Sequence, residues 1–235
     1  MKKLLFAVLS FASIAVHAQT ADEVIQKYTT NMGGLDAFNK ITSAKMTGTY
    51  SVQGNDLGLT IQIINGKGMR SDIDAMGQSV TSVYFNGNGW KVNPFAGVVT
   101  ATDVTGTELN DFKVQSNLAN QLMDHKARGH QVALEGKETI EGIETYKIKL
   151  TNKDDSKVTT YFISTKDHTL IKSVTSRDIQ GQPTDVESWY SDLKEFGGVK
   201  FFMTRDSKMN GEVFQTVKFD KIELNVPIDE KVFEK

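Results

Sequence analysis

From Ala44 onward the sequence alternates between apolar and polar residues, and short Gly- or Asn-containing turns cut that alternation into runs. Met46, Gly48, Tyr50 and Val52 alternate with Lys45, Thr47, Thr49 and Ser51. Leu57, Leu59, Ile61 and Ile63 repeat the pattern after a Gly54-Asn55-Asp56 turn. Successive side chains of a strand point to opposite faces, so these runs are strands with one apolar face. Asn65-Gly66 is a two-residue hairpin signal. Strands follow over residues 68–75, 78–86 and 90–92, then 131–135, 144–151, 158–164, 170–179, 185–193, 199–207 and 212–224. Between the two groups, Pro94 and Gly97 break the pattern. These twelve runs, some of them short, are read as a sheet of about ten or eleven strands joined mostly by tight turns, which makes it antiparallel and largely a meander.

One long helical pattern interrupts the strands. Over residues 107–125, Leu109, Phe112, Leu118, Ala119, Leu122 and Met123 fall on one side of a 3.6-residue wheel. A single helix inserted among strands must bury that stripe against their sheet. An earlier helix begins at the capping box Thr20-Ala21-Asp22-Glu23, continues through Val24, Ile25, Tyr28 and Met32, and stops at Gly33-Gly34. A short helical piece carrying Leu35, Phe38 and Ile41 follows, and residues 229–233 add a last turn. The fold expected is mainly β with helices: an unclosed antiparallel barrel wrapped around the helices that cover it. A sheet of that width must either be plugged by them or enclose a cavity.

Residues 1–18 read as a signal peptide: Lys2 and Lys3 precede an apolar run from Leu4 to Ile14 and the small-residue site Val16-His17-Ala18. That run is too short to span a bilayer. The remaining 235 − 18 = 217 residues, 19–235, read as one domain without linker or low-complexity segment. There is no cysteine, so neither a lipid anchor nor a disulfide is available. The expected product is a soluble, exported periplasmic protein. Without Lys2 and Lys3, 25 basic residues face 29 acidic ones, and no basic patch invites nucleic acid.

Catalytic signatures are missing, and with them the case for an enzyme or a cofactor. Asp124, His125 and His130 could offer a metal two or three ligands, but polar groups at a helix end explain them, and no metal is expected. Asp72 and Asp74 with Gly77 make half a calcium loop whose later ligands are absent. Asp185 and Glu187 share a strand face without a positioned base or oxyanion donor. Arg70 either meets water or, facing inward, needs an anionic or carbonyl partner.

The segments Asn31-Met32-Gly33-Gly34-Leu35, Met46-Thr47-Gly48-Thr49, Gly87-Asn88-Gly89-Trp90-Lys91-Val92-Asn93-Pro94-Phe95 and Gly136-Lys137-Glu138 carry a resemblance. So do Tyr190-Ser191-Asp192-Leu193, Gly198-Val199-Lys200-Phe201 and Glu223-Leu224-Asn225-Val226-Pro227-Ile228-Asp229. Together they resemble the LolA-like, outer-membrane lipoprotein-sorting-protein-like group across nearly the whole exported chain. The resemblance implies an unclosed barrel of about eleven strands, a cavity shielding acyl chains, and an inward arginine at the mouth, for which Arg70 is the nearest candidate although the usual Arg-Pro context is absent.

The function expected is thus a non-enzymatic periplasmic carrier of an apolar ligand, a lipid or an acylated lipoprotein, with the chain monomeric. The candidate lining is Leu59, Ile61, Arg70, Tyr84, Phe85, Trp90 and Phe162 on the sheet, with Phe112, Leu118, Leu122 and Met123 on the helix. The alternative is an interaction module that docks an envelope protein through an open sheet edge or the lid face.

Overall fold

The structure, a computed structural model, describes residues 19–179 and 181–235; the expected signal peptide lies outside the described residues. Two helices open it, α1 (Ala21–Asn31) and α2 (Leu35–Lys40). The capping box is formed: Glu23 N–H donates to Thr20 Oγ1, and Thr20 N–H donates to the Glu23 carboxylate. Six strands follow: β1 (Ser43–Val52), β2 (Asn55–Ile64), β3 (Gly68–Ala75), β4 (Gln78–Phe85), β5 (Asn88–Asn93) and β6 (Val98–Val104). After α3 (Gly106–Gln115) and α4 (His125–Arg128) come β7 (Gln131–Ile140), β8 (Ile143–Thr151), β9 (Val158–Ser164) and β10 (Leu170–Ile179). The last three are β11 (Gln182–Phe196), β12 (Val199–Met209) and β13 (Glu212–Leu224), before a 3-10 turn at Glu230–Phe233.

All 13 strands form one antiparallel sheet in the order β6-β5-β4-β3-β2-β1-β13-β12-β11-β10-β9-β8-β7. Two meanders are therefore zipped together by β1 and β13, and β6 and β7 remain as free edges. The barrel is unclosed, as expected, but wider than ten or eleven strands. Part of the excess is β6: a 3-10 turn at Pro94–Ala96 absorbs the break, and the β-branched run Val98-Val99-Thr100 resumes the sheet. Several hairpins turn on two successive residues with positive φ, among them Gln53-Gly54, Met76-Gly77 and Asn210-Gly211. That geometry matches the twist of the flanking strands.

The segment joining β6 to β7 crosses the concave face from one edge to the other. It is not one helix over 107–125. α3 ends at Gln115, and residues 116–124 follow without helical structure. The hydroxyl of Ser116 and the amide of Asn117 both donate to the Lys113 carbonyl. Leu118 N–H donates to Asn65 Oδ1, and Leu122 N–H to Asn120 Oδ1. Short polar side chains have taken the backbone groups that a continued helix would need.

The opposite face of the sheet is also covered in part. The C-terminal strap lays Phe233, 3% exposed, against Phe85, with parallel rings 5.0 Å apart. Trp90 Nε1 donates to Phe233 O at 2.9 Å, and Arg70 Nη1 to Val232 O at 2.8 Å. Phe233→Ala is expected to release the strap and cost about 3 kcal/mol, read as a lower denaturation midpoint. An unchanged midpoint would mean that the strap holds nothing.

Candidate functional site

The concave face is filled by side chains in three packed groups. Val24, Ile25 and Tyr28 of α1 and Phe38 of α2 pack with Leu122 and Met123 against Ile148, Leu150 and Ile163. Ile63, Met69, Tyr84 and Val104 receive Phe112 of α3. Ala44, Met46, Met203 and Ile222 lie between them, with Ile61 and Leu118 at their margin. A groove of about 700 Å³ runs between α1, α2 and α4 on the surface. A recess of about 200 Å³ lies where β4, β5 and β6 meet α3.

The helices are not held equally. α1 buries Val24, Ile25 and Tyr28, whereas α3 buries Phe112 alone. Burying one aromatic side chain contributes roughly 1.5–3 kcal/mol. The remaining fastenings of α3 are ion pairs at its rim. Lys91 meets Glu108 at 2.7 Å on the β5 side, while Lys113 meets Asp154 at 2.9 Å and Lys157 meets Asp111 on the β8–β9 turn. Exposed pairs contribute about 0.2–1 kcal/mol each and weaken with salt. α3 therefore bridges the gap between the two halves of the sheet on a light fastening. Its amides are expected to exchange with solvent well before those of α1, and faster in Lys113→Ala. Equal protection of the two helices would contradict a liftable α3.

The ligand candidates from the sequence divide between the two faces. Ile61, Tyr84, Phe112, Leu118, Leu122 and Met123 come together on the concave side, and Leu59 shares the face of Ile61 and Ile63. Arg70, Phe85 and Trp90 lie on the other face, under the C-terminal strap. The guanidinium of Arg70 is closed by Asp72, at 2.7 and 2.9 Å, so it is not an inward arginine. Phe162 alternates with Tyr161 and Ile163, which face the helices, and so points outward; Lys172 Nζ sits 5.1 Å from its ring centre. Asp72 belongs to the Arg70 pair and takes a further bond from Thr81.

Of the remaining polar candidates, Asp185 is exposed, while Glu187 and His125 are engaged. Burial would raise the Glu187 carboxyl, but bonds from Trp189 and Lys172 outweigh it and hold the group below its ordinary value. His125 is buried, with Nδ1 2.9 Å from Leu122 O and Nε2 3.1 Å from Asp22 Oδ1, and so ties α4 to α1. Burial and the Arg128 charge push His130 down, and burial with Lys27 does the same to His168. Lys113 holds Asp154 down.

All these shifts share one sign for stability. A group whose folded pKa lies below its unfolded value stabilises above that unfolded value, and its contribution is lost as pH falls through the folded one. Melting temperature is thus expected to be level just above about pH 7, to fall below about pH 6.5 as His130 and His168 protonate, and to fall again near pH 4. A rise on acidification would contradict these environments.

No family model and no curated protein matches the chain. Solved structures do. A LolA superfamily protein from Nitrosomonas europaea is 14% identical with a TM-score of 0.61, covering 93% of this chain and 99% of that one. A lipoprotein-sorting protein domain of the outer membrane from Vibrio parahaemolyticus is 9% identical with a TM-score of 0.61, covering 91% and 97%. The fold is LolA-like. A DUF1329 family protein from Desulfovibrio piger shares it at 11% identity and a TM-score of 0.55, covering 92% and 98%.

Sequence reasoning missed the polar groups inside this LolA-like sheet. Tyr161 of β9 and Tyr190 of β11 face α1, and Tyr190 Oη lies 3.0 Å from Ser173 Oγ of β10. Arg128 Nε pairs with Asp124 Oδ2 at 2.6 Å, with both side chains less than one-fifth exposed. In the sequence the tyrosines only continue apolar alternation; their convergence comes from pairing β9, β10 and β11 under α1.

Proposed function

We propose that this chain is a non-enzymatic, exported carrier that shields the acyl chains of a lipid or acylated lipoprotein in the periplasm. The observation that carries the reading is the unequal fastening of α1 and α3: α1 buries Val24, Ile25 and Tyr28, whereas α3 is held by one buried residue and rim ion pairs. Lifting α3 would expose Ile63, Met69, Tyr84 and Phe112, and an acyl chain could cover that apolar surface in its place, at about 25 cal/mol per Å². The lipoprotein-sorting name of the Vibrio domain supports the same class of cargo. No helix of the described residues is long and apolar enough to cross a membrane.

The test uses Lys113→Cys/Asp154→Cys in a chain that has no other cysteine, bridged by a short bis-maleimide. Uptake of a fluorescent acyl probe should slow at least tenfold in the bridged protein, a rise of about 1.4 kcal/mol or more in the barrier, and be at least as fast as the wild type's in the unbridged one, which lacks the Lys113–Asp154 ion pair. Unchanged uptake would mean that the ligand does not enter beneath α3.

A second reading has its own observation. The β7 edge carries Glu135, Lys137, Glu138 and a register shift, whereas β6 is uncharged from Val98 to Thr102, with Val99 71% exposed. An unguarded edge can add a partner's strand. A protein that takes up no acyl probe would favour this interaction-module reading.

A further inference from the structure

We infer that the recess where β4, β5 and β6 meet α3 is the doorway through which an acyl chain enters the concave side. The inference rests on the carrier reading and names the flank of α3 that opens first.

The recess has a volume of about 200 Å³ and a mainly apolar lining, with Val80, Val92, Val98 and Phe112 in it and the Lys91–Glu108 pair at its border. It lies beside β6, the last strand of the sheet on that side, so no further strand screens it. Phe112 lines the recess and also packs with Ile63, Met69, Tyr84 and Val104. One ring thus borders both the recess and the apolar surface that the carrier reading gives to the cargo. That continuity selects the occupant. A chain of methylenes can follow apolar walls past the ring. A peptide would bring backbone N–H and C=O groups that valine side chains cannot pair.

The two ends of α3 are closed with unequal strength. Near its C-terminal end Lys113 meets Asp154 and Lys157 meets Asp111. Just beyond, Gly66 N–H donates to Ser116 O at 2.8 Å and Leu118 N–H donates to Asn65 Oδ1 at 3.0 Å. Over the recess the ion pair is Lys91 with Glu108, whose two carboxylate oxygens accept from Lys91 Nζ at 2.7 and 2.8 Å. Both side chains are partly exposed, where such a pair contributes little. The start of the helix is also weakly fixed. Thr105 makes no side-chain cap bond, and Gly106 takes φ +62° with open space where a Cβ would lie. Beneath it, a Cβ on Gly89 of β5 would stand 2.7 Å from Leu109 Cδ1 and 3.6 Å from Phe112 Cδ2. At that position α3 rests on bare backbone, and no side chain interlocks with it. Lifting therefore begins at Glu108, with Gly106 taking up the change, and is complete when Phe112 clears its group. Lys113 adjoins Phe112, which is why a bridge from Lys113 would hold the ring in place.

Uptake and release of a pyrene-labelled dodecanoate, followed by stopped flow on the full chain, test the doorway. Val80→Trp fills the recess from β4, and Ala96→Trp fills it from the exposed turn before β6. Each should slow uptake and release alike, by about tenfold or more, and leave Kd nearly unchanged, because a narrowed doorway raises the barrier in both directions and leaves the end states alone. Thermal melts run alongside. If Val80→Trp melts lower than the wild type, Ala96→Trp decides, since its side chain stands at the surface and needs no space in the core. Wild-type rates in a folded filled variant would overturn the doorway and leave the carrier reading in place. A Kd that rises with the uptake rate unchanged would also overturn it, because the recess would then be where the chain rests and not where it passes. A wild type that takes up no probe would overturn the doorway and the carrier reading together.

Discussion

Leu122→Asp is expected to unfold the protein rather than merely empty it. Leu122 is fully buried between α1 and the strands β8 and β9. Removing its packing alone, as in Leu122→Ala, should cost about 2–5 kcal/mol. An aspartate there adds the desolvation of a carboxylate for which the surrounding group Val24, Ile148 and Ile163 offers no donor, worth several kcal/mol more. The sum is comparable with the entire stability of an ordinary domain, about 5–15 kcal/mol. Circular dichroism and a denaturant titration check it. A Leu122→Asp protein with wild-type melting would show that residues 118–123 do not fill the interior.

Gly33→Ala should be nearly as damaging, for a backbone reason. Gly33 has φ +111°, and a Cβ there would lie 2.3 Å from Gly198 O and 2.8 Å from Val199 Cα. Those atoms belong to the β11–β12 turn and cannot step aside, because Lys200 N–H donates to Met32 O at 2.9 Å and Lys200 Nζ reaches Asn31 Oδ1 at 3.0 Å. The end of α1 and the top of the sheet are one joint. A loss of about 3 kcal/mol or more is expected, combining strain at positive φ with separation of that joint. Gly34→Ala is the control: φ is +91°, but nothing lies within 4 Å of its Cβ, so only the backbone cost of about 1–2 kcal/mol remains. Equal effects at the two positions would mean that the joint carries no load.

The contrast between these sites and α3 shows what the sequence could reveal. Local signals were legible where local physics decides. The capping box at Thr20 and the stop at Gly33 hold because partners lie within a few residues. Asn65-Gly66 does mark a turn, but one of three residues, 65–67, rather than two, and its Asn65 and Gly66 N–H groups donate to Thr42 O and Ser116 O. The facing of the strands was not legible. Tyr84 and Phe85 are adjacent and both sheltered, one by Phe112 and the other by Phe233, so alternation does not say which side is concave. Arg70 went astray for the same reason: the strap that claims it lies 162 positions further along. The length of the central helix failed differently. Leu118, Leu122 and Met123 keep helical spacing and are sheltered on the concave side, yet Asn65 from the β2–β3 turn takes the Leu118 N–H. A competing partner 53 positions away is invisible to periodicity.

If the concave side exists to be occupied by acyl chains, protein purified from its own envelope should carry them. Native mass spectrometry reads that occupancy directly, followed by the same measurement on an organic extract of the protein. A stoichiometric mass excess is expected, one that leaves with the extract and fragments as an acyl species. A bare polypeptide mass, unchanged after incubation with envelope lipids, would contradict a carrier of acyl chains.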